Sequence, residues 1–205
     1  MEKLLIFPFN GNGIEAIDCV KGQYDFIGFI DDTIEKQGKT TFGIEVFGRE
    51  MLSRYKEAKV LVVPGSPASF HLRKKIIDDL KIPNERFATV ISPFATISKM
   101  AIIGYNVLIM AGVVITSNAI IGNHICILPN TVIHHDSQIY DYTLIGSNVT
   151  IAGNSKIGVN CYIGSGTSII NNIEIGDNTL IGMGTNVIKS LPFNSRVVGN
   201  PARQL

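Results

Sequence analysis

An isoleucine occupies every sixth position of this chain from Ile91 to Ile181, sixteen times without a gap, and Val187 takes the next place in the series. An amphipathic helix repeats its apolar residues about every 3.6 positions and a half-buried strand every two, so neither explains this spacing. A period of six is typical of hexapeptide repeats, in which each unit supplies one short strand and one corner. Three units close one coil, so the spacing predicts a three-sided parallel β-helix with the isoleucines inside.

The residue two places before each isoleucine is also expected to point inward, and at most of these places it is small. The examples are Ala95, Ala101, Val107, Ala119, Thr131, Ser137, Thr143, Val149, Ser155, Cys161 and Thr167. Each buried isoleucine contributes roughly 1.5–3 kcal/mol, so such an interior needs no helices. A glycine often follows the isoleucine, where we expect a corner that favours a residue without Cβ. These are Gly104, Gly122, Gly146, Gly158, Gly164, Gly176 and Gly182. A chance run of isoleucines in a β-sandwich is the alternative.

Residues 1–88 have a different pattern, which predicts a separate α/β domain before the β-helix domain at 89–205. Apolar segments at 4–7, 26–30 and 60–63 indicate buried strands, and segments 14–21 and 70–80 have helical spacing. Strands that alternate with helices predict a small parallel sheet of the Rossmann type. The fold class is therefore a Rossmann-like α/β domain followed by an all-β parallel β-helix.

Three polar turns follow the three predicted strands, and ligands bind parallel sheets beyond the carboxyl ends of their strands. The turns are Asn10-Gly11-Asn12-Gly13, Asp31-Asp32 and Pro64-Gly65-Ser66-Pro67. We expect backbone amides at 10–13 to bind a diphosphate at a helix N-terminus, and Asp31 or Asp32 to accept hydrogen bonds from a ribose or base. Ordinary turns with solvated carboxylates are the alternative.

The first turn also fits a dinucleotide fingerprint, Gly11-x-Gly13-x-x-Ala16, with Asp31 further along. A nicotinamide oxidoreductase is therefore a second hypothesis. However, about 88 residues supply only three or four strands, roughly half of what a full dinucleotide-binding fold uses. Binding of a single nucleotide is the better prediction.

His134-His135-Asp136, directly after Ile133, are residues that a scaffold does not need. A carboxylate that binds one ring nitrogen of an imidazole raises the basicity of the other, which suits a general base. For His134 we expect packing or a substrate contact. A metal site is disfavoured because neighbouring residues on a strand point apart and no third ligand is evident. His71 and His124 are expected on the surface.

Gly153 lies eighteen residues after His135, which is one full coil. Successive coils are about 4.8 Å apart, so the glycine amide is expected directly beside the histidine. An amide that no side chain shields could bind a thioester oxygen and the oxyanion formed during attack. The alternative is that Gly153 only relaxes a turn.

The composition excludes several classes of function. The chain has 205 residues, 45% of them hydrophobic, and a formal charge of +1, without a basic stripe, so nucleic-acid binding has little support. No apolar run approaches the roughly 20 residues of a membrane span. Three cysteines without metal-ligand spacing, and no signal-peptide pattern after Met1, predict reduced thiols in the cytoplasm.

The chain resembles the bacterial hexapeptide acyltransferases of the sialic-acid O-acetyltransferase-like family, and within it the nucleotide-sugar N-acetyltransferases that modify 4-amino-4,6-dideoxy sugars. The segments that carry the resemblance are 10–13, 30–32, 65–66, 133–136, 151–154 and 198–202. It implies a left-handed parallel β-helix, acetyl-CoA as co-substrate, no metal, a homotrimer with active sites between neighbouring subunits, and a role in O-antigen or polysaccharide biosynthesis.

The resemblance also implies residue roles. His135 would be the base, Asp136 would orient it, and the Gly153 amide would bind the acetyl carbonyl. Backbone near Leu144, Ser165 and Met183 would line the coenzyme A site. The nucleotide-sugar contacts would be Asn10, Gly11, Asn12, Asp31, Asp32, Gly65 and Ser66, with His134 near the sugar.

The prediction from the sequence is thus an acetyl-CoA-dependent N-acetyltransferase acting on a nucleotide-linked 4-amino-4,6-dideoxy sugar by direct attack. O-acetylation of a sialic acid or another sugar hydroxyl is the nearest alternative, because the same base could serve it. A β-helix that is only a scaffold or ligand sensor is a further alternative, but it would have no use for His135, Asp136 and Gly153 together.

Overall fold

The amino-terminal part of this computed structural model is a sheet of five strands in the order β3-β4-β2-β1-β5, parallel except for β3. The structure describes residues 1–38, 40–41 and 43–205, with residues 40 and 41 described by their backbone only. The strands are β1 Lys3–Phe7, β2 Asp25–Ile30, β3 Thr40–Thr41, β4 Ile44–Phe47 and β5 Lys59–Val62. The helices are α1 Gly11–Val20, α2 Glu50–Arg54 and α3 Arg73–Asp78, with 3₁₀ turns at Ile34–Lys36, Phe70–Leu72 and Asn84–Arg86.

The three predicted strands are present, but the helices differ from their predicted bounds. Helix α1 begins three residues early because the Asn10 side chain caps it, accepting a hydrogen bond from the Gly13 amide at 2.8 Å. The segment predicted as one helix from 70 to 80 is a 3₁₀ turn followed by α3. Strand β4 and helix α2 were not predicted, because their segments are too short and mixed to show a period.

From β6 to β21 the carboxy-terminal part is a stack of parallel strands of two residues, each ending at an isoleucine of the six-residue series. Each strand from β6 to β19 pairs with the strand eighteen residues later, for example Leu144 with Tyr162 and Ile145 with Ile163. The last coil departs from this spacing, because Ile181 pairs with Val197, and β24 is antiparallel to β23. The strands are β6 Val90–Ile91, β7 Thr96–Ile97, β8 Ile102–Ile103, β9 Leu108–Ile109, β10 Val114–Ile115, β11 Ile120–Ile121, β12 Cys126–Ile127, β13 Val132–Ile133, β14 Gln138–Ile139, β15 Leu144–Ile145, β16 Thr150–Ile151, β17 Lys156–Ile157, β18 Tyr162–Ile163, β19 Ser168–Ile169, β20 Glu174–Ile175, β21 Leu180–Ile181, β22 Asn186–Val187, β23 Arg196–Val198 and β24 Arg203–Gln204.

These strands form the three faces of a prism, consistent with the predicted left-handed parallel β-helix. The first face runs from β6 through β9, β12, β15, β18 and β21 to β23 and β24; the second contains β7, β10, β13, β16, β19 and β22; the third contains β8, β11, β14, β17 and β20. Three corners join the faces. The first corner carries Tyr105, Asn123, Asp141, Val159 and Asp177, the second Ala111, Pro129, Ser147, Ser165 and Met183, and the third Ser117, His135, Gly153, Asn171 and Lys189.

The prediction that the isoleucines point into the prism is confirmed, most fully from the second coil onward. The isoleucines from Ile109 to Ile181 are buried, whereas Ile91, Ile97 and Ile103 in the first coil are only partly buried. The small inward residues include hydroxyls that donate to a carbonyl fifteen residues later, such as Thr131 to Gly146 at 2.7 Å. A buried hydroxyl without a partner is costly, so these bonds let Ser and Thr serve in an apolar interior.

Where a glycine follows an isoleucine of the series, it is required for space, not for backbone freedom. A Cβ on Gly158 would lie 2.7 Å from the Asp177 amide nitrogen of the next coil. The left-handed backbone falls two residues later, where asparagine prevails, as at Asn106 (φ 53°) and Asn148 (φ 54°). Glycine is therefore favoured at these corners because a Cβ would not fit, and not because its backbone is more flexible.

The amino-terminal sheet packs on the first face of the prism. Outward residues of that face, Leu108, Cys126 and Leu144, are buried in one cluster with Leu4 and Ile6 of β1. The strand order places the third corner between the second and third faces, opposite the first face. Strand β6 at Val90–Ile91 already pairs with β9 of the prism, while the boundary after residue 88 stays a prediction.

Buried polar side chains also join the two parts. Arg73 is fully buried and donates to the carbonyls of Pro64, His124 (2.8 Å) and Tyr142 (3.0 Å). Burial lowers the pKa of its guanidinium to about 10. The Asn106 amide accepts from Val62 N at 2.8 Å and donates to Val62 O at 3.0 Å, so it covers the edge of β5.

The surface position expected for His124 is wrong, while His71 is exposed as expected. The His124 side chain is 4% exposed and stacks on Tyr142 with ring centroids 4.7 Å apart. Burial lowers the pKa of His124 to about 4, so it is neutral at physiological pH. Phe87 packs edge-on against its ring with centroids 4.8 Å apart, and Arg73 donates to its carbonyl. Its burial therefore depends on residues of the amino-terminal part, which the period of six cannot reveal.

Two further findings concern the chain as a whole. The three cysteines, Cys19, Cys126 and Cys161, are free and buried. No helix in the described parts of the chain is both long and apolar enough to cross a membrane.

The fold makes a direct prediction for the prism interior. Ile145 is 0% exposed, so Ile145→Asp places a carboxylate where no charge can be solvated, and we expect no soluble protein. Ile145→Val should fold and lose about 0.5–1.5 kcal/mol of unfolding free energy, measured by chemical denaturation. Gln138→Asp, at an outward strand position, is the control and should express normally. A folded Ile145→Asp protein would contradict the inward position.

Candidate active site

His135 and Asp136 stand at the third corner, immediately after strand β13. The His135 Nδ1 and Asp136 Oδ2 atoms are 2.8 Å apart, and the other carboxylate oxygen, Oδ1, accepts from Asn118 Nδ2 at 3.0 Å. Asp136 has a left-handed backbone, φ 60°, which turns its side chain back toward the neighbouring ring. Hydrogen bonds from His135 and then Asn118 hold the pKa of Asp136 below its ordinary value, so it is ionised at neutral pH.

This pair fixes the chemistry that the imidazole can perform. With Asp136 accepting, the neutral ring carries its proton on Nδ1, and Nε2 retains a lone pair that can accept a proton. The side chains are 63% and 49% exposed, so the ring is open to a ligand. The arrangement is that of a general base with an orienting carboxylate.

Gly153 lies beside this base, as the coil length predicts. Residues 133 and 151 pair in register, and a Cβ on Gly153 would be 2.6 Å from both Nε2 and Cε1 of His135. Any side chain here would therefore displace the imidazole. Gly153 is thus required for the position of His135, a steric reason that the sequence argument did not give.

The Gly153 amide is also available as a donor. At the other two corners several of the equivalent amides donate to a side chain one coil later, for example Ser147 N to Ser165 Oγ at 3.1 Å and Asn123 N to Asp141 Oδ1 at 2.8 Å. Within the described residues, no acceptor binds the Gly153 amide. A free N–H beside a base is the arrangement that oxyanion stabilisation needs.

Of the four residues predicted to contact acetyl-CoA, Leu144, Ser165 and Met183 lie at or near the second corner, whereas Gly153 lies at the third. Ser165 and Met183 are one coil apart at the second corner, since Ile163 pairs with Ile181, and Met183 is 75% exposed. Leu144 is 3% exposed beneath the amino-terminal sheet, and its amide donates to Cys161 O at 2.9 Å, so its contact with coenzyme A stays a prediction. His134 is partly exposed beside His135, and its role stays a prediction.

The three polar turns of the amino-terminal domain lie side by side at the carboxyl ends of the sheet strands, as predicted. Strands β2, β1 and β5 are neighbours, and hydrogen bonds join their turns. Asn10 Nδ2 donates to Val63 O at 3.4 Å, and Phe9 N donates to Asp31 Oδ2 at 3.0 Å. A ligand bound there could contact all three turns.

Both carboxylates of the second turn are already engaged within the chain. Asp31 is 3% exposed and accepts from Phe9 N, Thr33 N and Lys36 Nζ. Burial favours a higher pKa for Asp31, but the hydrogen bonds from Thr33 and Lys36 outweigh it and hold the pKa below its ordinary value. Asp32 binds Arg49 through both oxygens, at 2.5 and 2.6 Å.

Sequence reasoning missed Lys36 and Arg49, whose relation to Asp31 and Asp32 depends on how the chain folds after β2. The contacts of Asp31 and Asp32 with a nucleotide stay predictions.

The glycines of the first and third turns differ in their surroundings. Nothing lies within 4 Å of a Cβ built on Gly11, so this position and the exposed Ser66 are open to a ligand. Asn12 is partly exposed at the start of helix α1. Gly65 has φ 124°, and a Cβ there would lie 3.1 Å from Arg73 Cγ and Cδ, so Arg73 supports this turn from beneath.

A large cleft lies on the third face of the prism, with a volume of about 710 Å³. It is lined by polar residues, including Tyr140, Lys156 and Glu174, and His135 is not among them. Lys156 and Glu174 pair with each other at 2.8 Å. Asp177, the other carboxylate of the lining, accepts a hydrogen bond from Val159 N at 2.8 Å. Among the described residues that line the cleft there is no histidine, and we place the chemistry at the His135–Asp136 pair instead.

Among the residues that the structure describes, no group of three or more His, Cys, Asp or Glu side chains could hold a metal ion.

Similar proteins are found among solved structures. No protein-family model and no curated protein matches the chain. The acetyltransferase domain of PglB from Neisseria gonorrhoeae FA1090 is 25% identical with a TM-score of 0.89, and WeeI from Acinetobacter baumannii AYE is 28% identical with a TM-score of 0.87, each over 100% of both chains. Perosamine N-acetyltransferase from Caulobacter crescentus, in complex with CoA and GDP-perosamine, is 23% identical with a TM-score of 0.88, over 100% of this chain and 97% of that one.

These similarities extend over both parts of the chain, so the predicted fold class is confirmed from end to end. The predicted resemblance to the bacterial hexapeptide acyltransferases is confirmed with it.

The crowding at Gly153 predicts a structural change. Because carbon atoms pack about 3.5–4.0 Å apart, Gly153→Ala should push the His135 ring roughly 1 Å and lengthen its bond to Asp136. A crystal structure of the variant measures the shift. Asn171→Ala, at the same corner one coil later, is the control and should leave the ring in place. An unmoved ring in Gly153→Ala would show that the glycine is not required for space.

Proposed function

We propose that this chain, which shares its fold with the hexapeptide acetyltransferases named above, transfers the acetyl group of acetyl-CoA to the amino group of a nucleotide-linked 4-amino-4,6-dideoxy sugar. The observation that carries the proposal is the His135–Asp136 pair with the free Gly153 amide beside its ring.

The similarity to known proteins supports this proposal at each step. The acetyltransferase domain of PglB, 25% identical, is also solved in complex with acetyl coenzyme A, which confirms the prediction of an acetyl-CoA-dependent acetyltransferase. The Caulobacter protein is named for N-acetylation of perosamine and holds GDP-perosamine. An amino group on a nucleotide-linked sugar is therefore the acceptor we propose here.

In the proposed reaction His135 acts as the base. The neutral amine of the sugar attacks the thioester carbon, and its proton passes to His135 Nε2 while Nδ1–H remains bonded to Asp136. The ionised carboxylate stabilises the imidazolium that forms. Collapse of the tetrahedral intermediate breaks the C–S bond, and the thiolate of coenzyme A takes the proton from His135. No acyl-enzyme is needed.

The Gly153 amide would stabilise the oxyanion in this reaction. The carbonyl oxygen of the thioester gains a full charge when the amine attacks, and an N–H already in place costs no reorganisation at that moment. Oxyanion donors of this kind contribute about 2.7–4 kcal/mol in well-studied enzymes. Ser165 and Met183, stacked at the second corner, suit an extended arm that runs along the prism axis.

We further propose that the active site is shared between subunits of a homotrimer. In one chain the nucleotide-binding edge belongs to the domain on the first face, whereas His135 is at the opposite corner. A sugar held at that edge therefore faces the His135 of a neighbouring prism better than its own. A cyclic trimer brings the first face of each chain beside the third corner of the next.

The role of His135 gives a kinetic prediction. His135→Ala should lower kcat roughly 10²–10⁴-fold, because the amine loses its base. Acetyl-CoA affinity, measured by calorimetry, should change little. The matched control is His71→Ala, an exposed histidine of the other domain, which should retain full activity.

UDP-, dTDP- and GDP-linked amino sugars would be compared as substrates, with products identified by mass spectrometry. An ester product that mild base removes, or unchanged turnover in His135→Ala, would contradict the proposal.

The shared site gives a second prediction. Gly11→Trp should block the proposed diphosphate position without disturbing the fold, because a Cβ there meets nothing within 4 Å. Gly11→Trp and His135→Ala should each be inactive alone. Mixed trimers made by co-expression should regain about a third of the normal activity, since one of three interfaces pairs an intact edge with an intact base. No recovery in mixed trimers would place both halves of the site in one chain.

A further inference from the structure

Side chains at the left-handed position of the third corner form a vertical series, one per coil. Its members Asn118, Asp136, Asn154 and Asn172 have φ values of 60°, 60°, 55° and 60°. Asn154 Nδ2 donates to Asn172 Oδ1 at 2.8 Å, and Asn118 Nδ2 donates to Asp136 Oδ1 at 3.0 Å. The first corner repeats this pattern, with Asn160 donating to Asn178 at 2.9 Å. The bond from Asn118 is therefore built into the coil geometry.

Asp136 interrupts this series because a carboxylate only accepts hydrogen bonds. In the described residues it makes no bond to Asn154, the next member. One of its oxygens takes the Asn118 amide and the other takes His135 Nδ1. Asn118 thus reaches His135 only through this carboxylate, and the three side chains form the chain Asn118–Asp136–His135.

We infer that Asn118 is a positioning residue, which holds the Asp136 carboxylate in the orientation that fixes the His135 ring and its Nδ1–H tautomer. The catalytic consequence rests on the proposed function, but the positioning itself does not.

The physical reason is the freedom of an exposed carboxylate. The Asp136 side chain is 49% exposed, and the last torsion of an aspartate is broad, so water competes for both oxygens. A donor fixed one coil below restricts that rotation and leaves Oδ2 facing Nδ1. Without it, the carboxylate is expected to spend part of its time turned away, and the imidazole then loses its orientation.

Two matched variants test this. Glycine tolerates a positive φ, so Asn118→Gly and Asn154→Gly both keep the backbone and remove one amide of the same series. Asn118→Gly should lower kcat roughly tenfold with KM for both substrates unchanged. Asn154→Gly should behave as wild type. Asn118→Asp, which keeps the shape but replaces the donor with a like charge, should lower kcat at least as much.

A double-mutant cycle separates positioning from general stability. If Asn118 acts through Asp136, Asn118→Gly should have no further effect on kcat in an Asp136→Ala background. A loss that persists there would overturn the inference, because it would show that Asn118 acts by another route.

The tautomer provides a readout that does not depend on turnover. In ¹⁵N spectra of the neutral His135 ring, the wild-type protein and Asn154→Gly should carry the proton on Nδ1, and Asn118→Gly should shift it toward Nε2. An unchanged tautomer in Asn118→Gly would overturn the inference. The shift observed in a protein without acetyltransferase activity would refute the proposed function and leave the role of Asn118 standing.

Discussion

The eighteen-residue register of the prism is the constraint on which the rest of the structure depends. Each strand from β6 to β19 hydrogen-bonds to the strand one coil later, so a residue in these coils lies at about the strand spacing from the residue eighteen places away. This places Gly153 against His135 and Asn118 beneath Asp136 without a loop to hold them. A site built on such a scaffold has little conformational freedom to lose when a substrate binds.

The same register explains what could be predicted from the sequence. An unbroken period of six fixes which side chains point inward and which residues share a corner, so the prism and the neighbourhood of His135, Asp136 and Gly153 followed from counting. The convergence of the three polar turns followed from a general property of parallel sheets. The reason for Gly153 did not follow, because the position of the His135 ring depends on its rotamer.

The sequence did not predict which outward residues of the prism are buried, because the repeat carries no information about what packs on them. His124 and Leu144 are outward residues of the prism, yet both are buried. The amino-terminal sheet covers Leu144, whereas the rings of Phe87 and Tyr142 pack on His124. Arg73 is fully buried, and its partners in the described residues are three carbonyls and no carboxylate. No sequence motif predicts such an arrangement. Such residues acquire their roles only when two units of different periodicity are docked.

The position of the sheet on the prism also bears on where the two halves of the proposed site lie. The sheet that carries the open Gly11 and Ser66 turns covers one face of the prism, and His135, the proposed base, stands at the corner farthest from it. The buried Arg73 and Asn106 contacts oppose a large swing of the sheet around the prism. In the proposed reaction, with a rigid prism and a fixed sheet, a sugar held at the carboxyl ends of the sheet strands would reach an imidazole only when a second prism packs alongside, so assembly and catalysis would be one requirement.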